Sequence, residues 1–306
     1  MRRKGFTLVE LLVVIAIIAL LMGILMPALA RVRQLAFRMT CGTNLSGIGK
    51  AMLIYSNDYD DELPKAGGRG ATYTPIINSW TGPTRFDAFG VQADGSGGMA
   101  NVSSCFYLLV KYAEVTPKSF ICKGDAGVSE FKLSNETTVT TDFELIDAWD
   151  FGTQPTTHCS YSYHVPFGQY ALTTSHEPGF AVAADRNPWI SSPAGDPRLW
   201  DDFVPAIAPY NGATEKSRNG NCNAHQLDGQ NVLFLDSHVN FEKWSYCSLE
   251  DDNIYTVSLI PNKGDAYGQM PVLPAVPGNR KDSILIHDSD ITGGGTGTGG
   301  GGTTRR

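Results

Sequence analysis

The sequence has no excess of positive charge and none of the common catalytic signatures. Its 24 lysines and arginines stand against 31 aspartates and glutamates, which gives a formal net charge of −7. Nucleic-acid-binding surfaces follow the phosphate backbone with clustered basic side chains, so we predict no nucleic-acid partner. No G-x-S-x-G, H-E-x-x-H or phosphate-binding P-loop sequence occurs. We therefore expect a protein that is not an enzyme.

Charged side chains are also missing from the twenty residues that run from Leu11 to Ala30. At about 1.5 Å per residue, a helix of this length spans about 30 Å, the thickness of the hydrocarbon core of a bilayer. The wider segment from Phe6 to Ala30 is almost wholly apolar, and Glu10 is its only charged residue. We predict that this segment forms a helix able to cross a membrane.

Three interpretations of this segment compete: a transmembrane anchor, a secretory signal peptide and a prepilin leader. Ala28-Leu29-Ala30 supplies the small-residue pattern of a signal-peptidase site. The apolar run is longer than that of a signal peptide, however, and it contains Glu10. An acidic residue costs about 2.5–3.5 kcal/mol at the centre of a membrane helix, so Glu10 is a candidate functional residue.

The segment Lys4-Gly5-Phe6-Thr7-Leu8-Val9-Glu10-Leu11-Leu12 resembles the cleavage and methylation signature of type IV pilins and type II secretion pseudopilins. The resemblance implies that a prepilin peptidase and N-methyltransferase cuts between Gly5 and Phe6 and methylates the new amino terminus of Phe6. It also implies that Glu10 pairs with the amino group of a neighbouring subunit in the filament core, where each charge offsets the desolvation of the other. The further partners implied are other pilin or pseudopilin subunits and an inner-membrane assembly platform.

Pro27 lies inside the apolar segment, at a place where many members of that family carry a proline. Proline has no amide hydrogen, and its ring clashes with the carbonyl group four residues earlier in a helix. We therefore predict that Pro27 kinks or melts the helix near Gly23.

An amphipathic pattern follows the apolar segment. Four apolar residues repeat at helical spacing and so share one face of a helix that we expect to end at about Asn57. They are Leu45, Ile48, Met52 and Tyr55. Short apolar runs between loops rich in glycine and proline predict strands at 119–122, 160–163, 180–184, 231–235 and 238–241. The predicted fold class is α+β: a long N-terminal helix whose C-terminal half packs on an antiparallel sheet, in a head with long loop insertions.

A second motif lies near the carboxyl end. Residues 41–49 and 55–60 are similar to the helix end of a pseudopilin-like group abundant in planctomycetes, whose carboxyl-proximal signature reads His, nine residues, Asp-Gly-His-Val. The counterpart here runs from His225 to Asp236-Ser237-His238, with ten intervening residues rather than nine and with Ser237 in the glycine position. We expect a two-residue turn at Asp236-Ser237. One interpretation is that the two histidines and Asp236 gather, as metal ligands or as a base with its orienting group. The other is that these residues serve packing and turn hydrogen bonds.

Acidic residues cluster after the long helix: Asp58, Asp60, Asp61 and Glu62. Carboxylate oxygens are the ligands that Ca²⁺ prefers, and some type II pseudopilins use a calcium-bound loop. A solvated acidic loop is the other interpretation of these residues. Apart from Ca²⁺ at this loop, we predict no cofactor.

The six cysteines form no C-x-x-C pair, which argues against a zinc ribbon and against a thioredoxin-like motif. They are Cys41, Cys105, Cys122, Cys159, Cys222 and Cys247. All of them follow the apolar segment, in what we expect to be an oxidising compartment, so disulfides are one interpretation and buried free thiols are the other.

These patterns divide the chain into five segments. They are a prepilin leader at 1–5, a transmembrane or filament-core helix at 6–30, its amphipathic continuation at 31–57, a globular α+β head at 58–290 and a disordered Gly/Thr tail at 291–306. Long insertions occupy 64–104 and 186–222 of the head, and they carry Trp80, Trp189 and Trp200.

We expect a structural subunit of a type IV pilus-like filament or of a type II secretion pseudopilus. The large head favours a minor or specialised subunit. One helix would hold the protein in the bacterial inner membrane, with the head in the periplasm, before assembly into the filament. The alternative is a membrane-tethered or secreted extracellular binding module, for example for polysaccharide, that uses the three insertion tryptophans on its surface.

Overall fold

The computed structural model describes residues 7–170, 172–206 and 214–289. The predicted cleavage site at Gly5 and Phe6 and the predicted tail at 291–306 lie outside the described residues. Within them, one long helix leads into a head built on an antiparallel sheet, so the predicted α+β class is confirmed.

Helix α1 spans Leu8–Asp58 and contains 51 residues, which corresponds to a length of about 75 Å. It begins after Thr7, whose side chain accepts a hydrogen bond from the backbone N–H of Glu10. Its end lies one residue beyond the predicted Asn57. Pro27 lies inside α1 without interrupting it, so the predicted melting of the helix is not seen, and a bend at this residue stays a prediction.

The second half of α1 packs on the head through the face that the sequence predicts. The four predicted face residues, Leu45, Ile48, Met52 and Tyr55, are all buried. Gly49 lies on the same face, and a Cβ atom there would come within 2.5 Å of Leu233 Cδ1. Glycine therefore permits the close approach of helix and sheet at this point.

The first insertion contains short regular elements. Strand β1 (Thr72–Tyr73) pairs in parallel with β2 (Met99–Ala100), and helix α2 (Arg85–Phe89) lies between them in the sequence. Helix α3 (Val102–Tyr112) follows and is buried over most of its length. Its aromatic side chains join α1 and the sheet in one hydrophobic core.

Five strands form the antiparallel sheet of the head. They are β3 (Tyr161–His164), β4 (Ala181–Asp185), β5 (Gln230–Phe234), β6 (Val239–Glu242) and β7 (Leu285–Ile286), in the spatial order β6-β5-β4-β3-β7. A short helix, α4 (Glu215–Arg218), precedes β5. Helix α1 packs mainly against β5 and β6. Four of the five predicted strands are confirmed to within one residue at each end.

The strand predicted at 119–122 is wrong. Pro117–Phe120 forms a 3₁₀ turn instead, because proline suits the first turn of a helix. The carbonyl oxygen of Ile121 accepts a hydrogen bond of 3.1 Å from Asn44 Nδ2. Cys122 forms a disulfide with Cys41 of α1. The segment is therefore fixed to α1 and not to a neighbouring strand.

The β5–β6 hairpin has a three-residue loop at 235–237 instead of the predicted two-residue turn. The backbone N–H of Phe234 donates to the carbonyl of His238 over 3.0 Å and so closes the loop. Ser237 has a φ of +67°, the left-handed conformation usual at the end of such loops. Ser237, which stands at the predicted glycine position, thus adopts a backbone conformation that favours glycine.

Ser237→Gly should raise the free energy of unfolding of the head by about 0.5–1 kcal/mol, because glycine adopts a positive φ without the steric penalty of a Cβ atom. Ser237→Ala is the matched control, since it removes the hydroxyl and keeps Cβ. Chemical denaturation of the full chain in detergent measures both variants. If the glycine variant were no more stable than the alanine variant, the steric penalty assigned to the Cβ atom of Ser237 would be contradicted.

Candidate functional site

The first half of α1 exposes a continuous apolar surface. Every leucine, isoleucine, valine and methionine from Leu8 to Leu35 is exposed over 46–78% of its full area. Exposed apolar patches of this extent mark a membrane-spanning or protein-binding surface. This half of α1 is therefore the candidate functional site, and the structure confirms a single helix long and apolar enough to cross a membrane within the described residues.

Charged residues bound the apolar surface at both ends. Glu10 directly precedes its uncharged stretch from Leu11 to Ala30, and Arg31, Arg33 and Arg38 follow that stretch. The Arg38 guanidinium forms an ion pair with Asp228 of the head and lies 4.6 Å from the ring centroid of Phe241. The uncharged stretch thus ends shortly before α1 meets the head.

Glu10 and Thr7 form a capping box at the start of α1. Glu10 Oε2 accepts hydrogen bonds of 2.8 Å from the Thr7 backbone N–H and 2.7 Å from its hydroxyl. The Glu10 N–H donates in return to Thr7 Oγ1 over 3.3 Å. Both bonds to the carboxylate use Oε2, which leaves Oε1 for a further donor. Sequence reasoning missed this second role of Glu10, although Thr-x-x-Glu before an apolar run is its signal.

The residues of the carboxyl-proximal motif lie at two separate places in the structure. Asp236 and His238 pair at the exposed tip of the β5–β6 hairpin, where Asp236 Oδ1 accepts from the His238 backbone N–H over 3.1 Å and from its ring Nδ1. His225 is instead fully buried. No contact in the described residues joins His225 to that pair, so the geometry agrees with packing and turn hydrogen bonds and not with a gathering of the three side chains.

His225 lies in a buried polar cluster. Its Nε2 atom is 3.1 Å from Asp185 Oδ2, 3.2 Å from Asn231 Nδ2 and 3.8 Å from Cys122 Sγ. Sequence reasoning did not single out Asp185, which ends strand β4. Of the remaining cysteines, Cys105, Cys159 and Cys222 are buried free thiols, and Cys247 is a half-buried one.

The acidic residues after α1 are exposed, and their carboxylates do not converge. Asp58 is the last residue of α1, and Asp60 and Asp61 have positive φ. The backbone of Asp61 connects the helix end to the head. Its N–H donates a hydrogen bond to the Ser56 carbonyl, and its carbonyl accepts one from the Thr174 N–H. The described part of the chain contains one group of three or more side chains whose metal-ligand atoms lie within 4.8 Å of one another. That group lies elsewhere and includes Cys41 and His225. Calcium binding at 58–62 stays a prediction.

The insertion tryptophans pack against other aromatic residues. Trp189 is buried, and Trp200 packs against it with ring centroids 5.1 Å apart. Trp80 is half-buried and lies edge-on to Phe131. Trp189 therefore offers no exposed surface to a polysaccharide, whereas Trp80 and Trp200 each keep part of their surface exposed.

One protein family matches the start of the chain: the family described as "Prokaryotic N-terminal methylation motif" matches residues 1–26. No curated protein and no solved structure matches the chain. The family match covers the predicted cleavage site, Glu10 and most of the exposed apolar surface. The chain thus carries a prepilin-type methylation motif, and its long apolar helix and α+β head fit a pilin-like protein. The divergent motif at 225–239 has no such match and stays a prediction.

Proposed function

We propose that the protein is a minor or specialised subunit of a type IV pilus-like filament or of a type II secretion pseudopilus. The observation that carries the proposal is the division of α1 into an exposed apolar half and a half that packs on the head. A head of this size, with two long insertions, favours a specialised position over the bulk of a filament.

The apolar half of α1 would drive both membrane anchoring and assembly. Removing apolar surface from water contributes about 25 cal/mol per Å² and holds the helix in the membrane. Assembly would gain its free energy from helix packing, because lipid is as apolar as the helix surface. In the membrane this surface faces lipid, and in a filament it faces the same helix of other subunits. The transfer between the two environments keeps the surface away from water throughout.

Glu10 would set the register between neighbouring helices. Its Oε2 atom is engaged by Thr7 of the same chain, and its Oε1 atom is left for the methylated amino group of Phe6 in a neighbour. Two opposite charges in a lipid-like core stabilise each other only when they meet, so helices shifted along each other are disfavoured. Prepilin peptidase would create this amino group by cutting after Gly5.

The head would lie in the periplasm before assembly and on the filament surface afterwards. The disulfide between Cys41 and Cys122 fits an oxidising compartment of this kind. A secreted or tethered binding module is the weaker alternative, because Trp189 is buried and Trp200 packs against it.

Quantitative mass spectrometry of sheared and purified filaments from the native host tests the proposal. We expect the protein to be present in far fewer copies than the most abundant pilin subunit. A single-helix inner-membrane protein without the methylation motif controls for membrane contamination. A chain recovered only with the membrane, at the level of that control, would contradict a filament role, and one present in equal copies with the main subunit would contradict a minor role.

A further inference from the structure

Four metal-ligand side chains from distant parts of the chain meet in the interior of the head. They are Cys41 in α1, Cys122 after the 3₁₀ turn, Asp185 at the end of β4 and His225 before β5. All four are buried, and one donor atom of each lies within 4.8 Å of the donor atoms of the others. The filament role proposed above uses none of these groups except the disulfide.

The charge balance of this cluster favours a bound cation. Asp185 is fully buried, and a buried carboxylate is strongly destabilising unless a cation or several donors compensate it. The neighbouring Arg186 is engaged with Asp125, with 3.1 Å between Nε and Oδ2. Within the described residues, the only basic side chain within 4 Å of the Asp185 carboxylate is the His225 imidazole, and Asp185 Oδ1 has no hydrogen-bond partner.

Asn231 holds the Asp185 carboxylate in place and contacts the His225 imidazole. Its backbone N–H donates to Asp185 Oδ2 over 2.7 Å, and its side-chain Nδ2 donates to the same oxygen over 3.1 Å. The same Nδ2 atom lies 3.2 Å from His225 Nε2. Outer hydrogen bonds of the kind made to Asp185 orient the ligands of metal sites, whereas zinc would replace Asn231 Nδ2 at the lone pair of His225 Nε2.

We propose that the dithiol form of the protein binds one Zn²⁺ ion through Cys41, Cys122, His225 and Asp185. Two thiolates, one imidazole and one carboxylate are the donor types of four-coordinate zinc. Binding releases the two thiol protons. The two thiolates and the carboxylate together carry three negative charges, and zinc carries two positive charges. The disulfide form has no thiolate to offer, so oxidation of this cysteine pair and zinc binding exclude each other.

The two forms would connect α1 to the head differently. The disulfide joins α1 to the segment after the 3₁₀ turn alone. Zinc would join α1 to that segment and also to β4 and to the loop before β5. The inference is independent of the filament role, because the site lies in the head and needs no second subunit.

Cobalt titration of the full chain in detergent tests the proposal. A phosphine first reduces the disulfide anaerobically: the phosphine takes up oxygen from water, becomes the phosphine oxide, and the disulfide becomes two thiols. We expect one equivalent of Co²⁺ to bind with the intense visible bands of tetrahedral cobalt and with thiolate-to-cobalt charge transfer, and Zn²⁺ to displace it. The oxidised chain should give neither signal. A reduced chain that takes up no stoichiometric cobalt overturns the proposal.

Variants assign the ligands. Cys122→Ser, His225→Ala and Asp185→Asn should each weaken Co²⁺ binding by at least about 100-fold, whereas Cys247→Ser, a change at a free thiol outside the cluster, should leave it unchanged. Thermal unfolding of the oxidised His225→Ala and Asp185→Asn chains checks their fold. X-ray absorption of the zinc-loaded wild type, which needs no variant, should show two sulfur and two nitrogen or oxygen neighbours. Unchanged affinity in the His225 and Asp185 variants, or a different set of neighbours, overturns the assignment.

Discussion

Glu10→Gln should abolish incorporation of the protein into filaments while leaving its insertion into the membrane intact. Glutamine can still accept the hydrogen bonds of Thr7, so the variant keeps the capping box and loses only the charge. The neighbour's amino group then remains buried without a counter-ion, which costs about 3–5 kcal/mol. At about 1.4 kcal/mol per factor of ten, incorporation should fall by two to three orders of magnitude.

Two controls separate the charge of Glu10 from its capping role. Thr7→Val removes the capping hydroxyl and keeps the carboxylate, and the loss of a helix cap costs only about 1 kcal/mol. Glu62→Gln changes an exposed carboxylate of the head. Both variants should enter filaments at near wild-type amounts, measured by immunoblotting of sheared filaments and of the membrane fraction. Normal incorporation of Glu10→Gln would contradict the register role.

Between pH 4 and 8, Asp150 should lower the free energy of unfolding of the head by about 4 kcal/mol. The buried His164 and His287 act in the opposite direction, because burial lowers the pKa of each imidazole. Burial, together with the nearby carboxylate of Asp288, raises the pKa of Asp150 from 3.8 to about 7, although the hydrogen bond from Asn101 Nδ2 lowers it. The folded state therefore holds a proton that the unfolded state releases. The stabilising contribution of this proton to the free energy of unfolding is fully present below pH 3.8 and is lost as the pH passes through 7.

Asp150→Asn should reduce this pH dependence, because the amide does not ionise. Asp142→Asn, an exposed residue of the same loop region, is the matched control and should keep the wild-type slope. Other buried acids, among them Asp288 with its raised pKa, will leave part of the slope in place. Denaturant titrations of the full chain in detergent from pH 4 to 8 measure the slopes. An Asp150→Asn slope equal to that of wild type would contradict a proton on Asp150.

Local patterns in the sequence were sufficient for the helix and most of the sheet. The charge-free run from Leu11 to Ala30 and the spacing of Leu45, Ile48, Met52 and Tyr55 reflect constraints within a single helix, and both predictions hold. The wrong strand at 119–122 arose because an apolar run cannot show whether its partner is a strand or α1. Its proline at position 117 was the local signal for a turn.

The buried cluster could not be predicted because it depends on packing between distant segments. Cys41 and Cys122 are 81 residues apart, and no short motif links them. Asp185 follows a predicted strand, and aspartate in that position is usually exposed, so its burial could not be read from the sequence. His225 was singled out, but its partners Asp185 and Asn231 were not, because the sequence does not show that the hairpin tip carries Asp236 and His238 away from it.

Mapping of the amino-terminal peptide of the mature protein, isolated from its native host and combined with its intact mass, tests the central claim most directly. We predict a first peptide that begins at Phe6 and carries one methyl group on its amino nitrogen. That result would establish prepilin processing and retention of the whole apolar half of α1. A first peptide that begins at Arg31 would show cleavage by signal peptidase after Ala30, remove the assembly helix and contradict a filament subunit.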